Sequence, residues 1–86
     1  MDLVQRWIDE SCEINPSYRE KATNLFQNLC NYVSINKEYQ ISNTMFGRNM
    51  SKKFEKKRFA GATYYLGIKL KDSLEYNINR KKYEEI

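Results

Sequence analysis

The chain has no histidine, one proline, two cysteines and three glycines among its 86 residues. Without histidine, and with only Cys12 and Cys30 as thiols, it lacks the four nitrogen and sulfur ligands of a structural zinc site. The same absence removes the usual general base of nucleophilic catalysis. No GxSxG or GxxxxGK[ST] phrase is present to place a nucleophile or cradle a nucleotide. Asp9, Glu10 and Glu13 lie together on one surface with no facing carboxylates, so the expectation is a protein that is not an enzyme, with no cofactor and no metal. No apolar run approaches the ~20 residues that span a bilayer, and no signal-peptide pattern opens the chain. A cytoplasmic, DNA-associated setting with no membrane partner is expected. There the two cysteines stay reduced, each as a small hydrophobe on the apolar stripe of a helix. Few prolines and glycines, no repeat and no low-complexity stretch leave room for one small domain over residues 1–71 and a charged tail over 72–86. In that tail, Leu74 and Ile78 permit a helical turn, while the charge favours fraying.

What is present is apolar content of 41%, enough for a folded core, and an uneven distribution of charge. Residues 41–71 hold eight Lys/Arg against the single acid Glu55, a net +7, whereas residues 1–40 carry −2 and residues 72–86 carry −1. The overall +4 thus conceals a dipolar molecule whose middle third suits a polyanion.

Periodicity gives the framework. Leu3, Val4, Trp7, Ile8 and Cys12 recur at helical steps and predict a helix over residues 2–13, ended by Asn15-Pro16. Ser17 and Glu20 fit a capping box for a second helix over residues 18–35, whose stripe is Ala22, Leu25, Phe26, Leu29, Cys30 and Val33. Residues 36–41 read as a connector that allows a short strand at Tyr39–Ile41. Ser42 is the expected N-cap of a third helix over residues 43–54, with Phe46, Met50 and Phe54 inward and Thr44, Met45, Arg48 and Lys52 outward. The period then becomes two. Tyr64, Leu66, Ile68 and Leu70 alternate with Thr63, Tyr65, Gly67 and Lys69, and Ala60-Gly61 forms the turn of a hairpin pairing residues 56–59 with 62–70. Gly67 inside a strand marks a bulge or a close backbone approach. Three helices followed by a β-hairpin wing is the order of an α+β winged helix-turn-helix.

In that arrangement the third helix is the reader of a major groove, which is about 12 Å wide and admits one helix. Arg48 suits a guanine edge, Thr44 a base or phosphate, Asn43 and the more lateral Asn49 an adenine. Lys52 is expected to position and read beside Arg48, and Lys53 to hold a phosphate, although it lies near the apolar side and would snorkel outward. Lys56, Lys57, Arg58 and Lys69 belong to the wing, where cations lie along phosphates. Tyr65, expected to point outward beside Lys69, offers a ring for an unpaired base. Tyr64, Tyr18, Tyr32 and Tyr39 read as packing and edge residues. Each assignment has a plain alternative: a wet helix face for α-helical positions, and lysines guarding a strand edge for the wing. All of it assumes that these cations share one exposed flank.

The run Phe46-Gly47-Arg48-Asn49-Met50-Ser51-Lys52-Lys53-Phe54, followed by Lys57-Arg58 and Tyr64-Tyr65-Leu66-Gly67-Ile68-Lys69-Leu70, resembles the C-terminal domain of phage, plasmid and poxvirus-type primase-helicases, the replication initiators of mobile elements. Val4-Gln5-Arg6-Trp7-Ile8 and Ser11-Cys12 resemble that family's opening helix, so the likeness covers about residues 3–71. It implies a winged-helix domain that contributes DNA binding beside a hexameric helicase, at a replication origin. It also implies that the chain is either a fragment of a longer protein carrying a helicase/ATPase domain or a stand-alone relative. Gly47 and Arg48 fall on the family's FGR phrase and Gly67 on its GI phrase, the glycines with structural roles such as close helix packing. The partner expected is double-stranded DNA. Three other readings stay open: a protein-interaction winged helix docking a replication partner, a sequence-neutral binder of single-stranded DNA or forks, and a small transcription regulator.

Overall fold

In a computed structural model, residues 2–71 are described; the tail over residues 72–86, with its expected helical turn, lies outside them. The described residues form three helices and a three-stranded antiparallel sheet in the order α1 (Leu3–Ser11), β1 (Cys12–Lys21), α2 (Ala22–Ile35), α3 (Asn43–Lys53), β2 (Lys56–Phe59) and β3 (Ala62–Leu70). In the sheet β3 is central, with β1 on one side and β2 on the other.

β1 is a correction to the sequence reading. The first helix stops at Ser11, capped at its start by Asp2, whose carboxylate accepts from the Val4 amide at 3.0 Å. Cys12 has already turned into extended backbone and opens the strand rather than closing the helical stripe. The apparent capping box at Ser17 does not form. Instead the Asn15 side-chain oxygen accepts from the Ser17 amide at 2.9 Å and from the Ser17 hydroxyl at 2.8 Å, a local Asx turn. That turn lies in an irregularity of the ladder: Ile14 pairs with Ile68 and Arg19 with Leu66, so residues 15–18 stand opposite Gly67 alone. Pro16, which has no amide to give a ladder, is tolerated there because the ladder is already interrupted. Glu20 reaches elsewhere too, accepting from the Leu70 amide at 3.4 Å and from Asn24 at 3.1 Å. The second helix therefore begins at Ala22, and its N-cap residue Lys21 makes no side-chain capping bond.

The third helix and hairpin form where the periodicity placed them. Ser42 caps α3, accepting from the Met45 amide at 3.1 Å. The connector contains no strand at Tyr39–Ile41. It is held to α1 by Arg6, which pairs with Glu38 and also donates to the Tyr32 hydroxyl at 3.1 Å. At the hairpin turn Ala60 and Gly61 both take positive φ, 49° and 81°, the backbone of a two-residue turn matched to the strand twist.

The core centres on Phe46. Its ring meets Trp7 of α1 at 5.8 Å, Phe26 of α2 at 5.3 Å and Tyr65 of β3 at 6.4 Å, in edge-on or tilted geometries. Each such aromatic pair contributes about 0.5–1.5 kcal/mol beyond its buried area. Val4, Ile8, Leu25, Leu29, Val33, Met50 and Ile68 complete the core, while Phe54 packs on it half-buried. Tyr65 and Ile68 are both buried although three residues apart, which strict alternation forbids. The phase changes at Gly67, whose φ of 92° breaks the pleat. Gly67 thus faces the irregularity of β1 at the interruption that its place in the strand suggested, and the phase change turns Tyr65 inward instead of outward.

Cys12 and Cys30 are both free thiols. Burial, with Glu20 nearby adding to it, pushes the Cys12 thiol up to about 12 from an ordinary 9.0. Below about pH 9 the thiol is neutral in both folded and unfolded chains, so its share of stability is complete there. That share declines as pH rises from about 9 to about 12, where only the unfolded chain ionises. Accordingly, a thiol-reactive probe at about pH 8 should label Cys30 promptly and Cys12 only after unfolding, because the thiolate is the nucleophile. Equal labelling rates in the folded protein would contradict the placement of Cys12.

Candidate nucleic-acid interface

Locking Phe46 and Met50 into the core fixes the roll of α3, and with it the residues on the helix's other side. Asn43, Thr44, Gly47, Arg48 and Ser51 form one stripe at helical spacing that faces an open groove of about 860 Å³. The first turns of α2 supply one wall through Ala22, Thr23, Phe26 and Gln27. The sheet supplies the other through Lys56, Thr63 and Tyr65. Arg48 and Lys56 are the charged residues of this lining, and it contains no acid. Neither makes an ion pair among the described residues, and the same holds for Lys52. The groove therefore combines hydroxyl and amide groups with two uncompensated cations, a lining suited to an anionic polar ligand.

Of the ten site residues expected from the sequence, Lys53, Lys57 and Lys69 lie elsewhere, and Tyr65 stands in the groove wall but is buried. Lys53 turns back toward α1, donating to Gln5 at 2.8 Å with Asp2 at 3.9 Å. Lys69 sits beside Glu13 at 3.9 Å and over the Tyr18 ring at 4.4 Å. Tyr65 is 2% exposed, too buried for its ring to receive a base. The pleat divides the hairpin as well. Lys56 pairs with Tyr65 and Arg58 with Thr63, so both belong to the groove side of β2. Lys57 pairs with Tyr64 and faces the other side, with Glu55 at 3.9 Å. The cations of the middle third thus do not share one flank: Arg48, Lys52, Lys56 and Arg58 remain with α3 and the groove, while Lys53, Lys57 and Lys69 depart.

Thr23, Gln27, Ser51 and Thr63 line the groove without having been singled out in the sequence. The available signal was spacing. Thr23 and Gln27 are an exposed polar pair at i, i+4, and Ser51 continues the series from Asn43, Gly47 and Arg48. Asn49 is committed to its own helix, donating to the Met45 carbonyl at 2.9 Å. No family model matches the chain, and no curated protein matches it.

Close helix packing does not demand Gly47. A Cβ at this position would meet only the Tyr65 hydroxyl, at 4.0 Å, an ordinary contact. In a helix interior, glycine costs about 1 kcal/mol relative to alanine. Gly47→Ala is therefore expected to raise unfolding stability by roughly 0.5–1 kcal/mol, measured by denaturant titration. A loss of stability would show that a hidden contact requires the glycine.

Proposed function

We propose that this domain is a winged helix that binds double-stranded DNA without catalysing a reaction on it. The observation that carries the proposal is the groove stripe: Asn43, Thr44, Arg48 and Ser51 on α3 face the same opening as Lys56, with no carboxylate among the lining residues. The element order is compatible with it: three helices and a C-terminal hairpin, with one further strand between the first two helices that pairs with the second strand of the hairpin. In this reading α3 enters the major groove, Arg48 donates to a guanine edge, and Asn43 and Thr44 meet a base or phosphate. Lys52, Lys56 and Arg58 hold phosphates, with the hairpin as the wing along the backbone. The start of α2, which lacks a side-chain cap and lines the groove through Ala22 and Thr23, offers free amides to one more phosphate. A place beside a replicative helicase, as the primase-helicase resemblance implies, gives such a domain its use: delivering a motor to duplex DNA at an origin.

Gly47 acquires a purpose here as the position where the helix surface is lowest, so that a nucleic-acid backbone approaches closely. The stabilising Gly47→Ala substitution should then weaken duplex binding.

The direct test is a binding titration of an origin-like duplex, a random duplex and a single strand at several salt concentrations. Each phosphate neutralised by a cation steepens the salt slope by about 0.9, so the three held by Lys52, Lys56 and Arg58 give a slope of roughly −3. Arg48→Ala should cost about 1–3 kcal/mol on the preferred duplex and less on a random one. Lys56→Ala should weaken both alike and lower the slope by about one. Salt-independent binding, or no effect of either substitution on duplex affinity, would refute the proposal.

A further inference from the structure

The sheet has a second face, turned away from the helices, and it joins cations to accessible aromatic rings. By register and pleat, Lys57, Phe59, Tyr64, Arg19 and Lys21 share that face: Lys57 and Lys21 flank Tyr64 from the two neighbouring strands. The Arg19 guanidinium lies over Phe59 at 5.0 Å and over Tyr64 at 5.2 Å, and the two rings meet edge-on at 5.6 Å. Phe59 is 39% exposed at the end of an edge strand, where no core requires an aromatic ring. Arg19 and Lys21 make no ion pair among the described residues, while Lys57 pairs loosely with Glu55 and Lys69 with Glu13, each at 3.9 Å.

We infer that this outer face binds single-stranded nucleic acid, stacking an unpaired base on the Phe59–Arg19–Tyr64 cluster while Lys57 and Lys21 meet the adjoining phosphates. The chemistry follows from the two halves of the ligand. A phosphate chain answers the positive charge, and a base supplies the flat π-surface that aromatic rings and guanidinium planes accept without reading sequence. An acidic peptide would match the charge and leave the rings unused. This inference stands on the opposite side of the sheet from the duplex groove and does not depend on it. Together the two faces would hold a duplex and an opened single strand on either side of one hairpin.

The test compares binding of the whole chain to a short oligothymidylate, to an abasic oligomer of the same length and charge, and to a duplex. The oligothymidylate should bind about 5- to 150-fold more tightly than its abasic counterpart, the range expected for stacking one base. Phe59→Leu and Arg19→Ala should each shrink that gap while changing duplex affinity by no more than about twofold, whereas Arg48→Ala should do the reverse. The comparison in the unsubstituted protein needs no variant to fold. Equal affinity for the two single strands would overturn the inference, as would a gap that survives both substitutions. Absence of the gap together with self-association abolished by Phe59→Leu would overturn it in favour of a second copy of the chain. A base-dependent gap with no duplex binding would uphold it and remove the duplex reading instead.

Discussion

Phe46 is the contact on which the rest of this small domain depends. Its ring is met by one aromatic residue from each of the other structural units: Trp7 from α1, Phe26 from α2 and Tyr65 from the sheet. An 86-residue chain buries only a modest core, so a hub of this kind has disproportionate weight. It anchors α3 by one side and thereby dictates which residues the other side presents. The polar stripe of the groove is the geometric complement of the Phe46–Met50 stripe. A substitution that let α3 roll would move Arg48 away from Lys56 even if every helix survived.

The second constraint is the interrupted sheet. Gly67, with its positive φ, and the looped-out residues 15–18 shift the pleat, so that Tyr65 and Ile68 both face the core. That shift sorts the hairpin's charges. Without it, Tyr65 would lie among the exposed cations. With it, Lys56 and Arg58 remain on the groove side, while Lys57 joins Phe59, Tyr64 and Arg19 on the outer face. One hairpin carries two chemically distinct surfaces because neighbouring residues of a strand point in opposite directions.

Much of this was legible in the sequence where a single strong period ran uninterrupted. α3, its Ser42 cap, its buried Phe46 and Met50, and the hairpin limits all followed from spacing and turn chemistry. β1 was not legible. Its residues lack alternation, it contains Pro16, and Ser17 with Glu20 imitates a helix start, so local signals outvoted a strand that exists only through its partner β3. Tyr65 was misplaced for a related reason: alternation carries no record of a phase slip, although Gly67 hinted at one. The departures of Lys53 and Lys69 depend on Asp2, Gln5 and Glu13, partners remote in sequence that no periodicity could assign.

The account stands or falls on whether the groove between α2, α3 and β2 is where duplex DNA sits. A nuclear magnetic resonance titration of the labelled chain with a short duplex reads this residue by residue. The predicted result is a set of amide perturbations concentrated at Ala22–Thr23, along Asn43–Ser51 and at Lys56–Arg58, with α1 and the core end of β3 unmoved. Perturbations centred on α1, or spread evenly over all described residues, would contradict it.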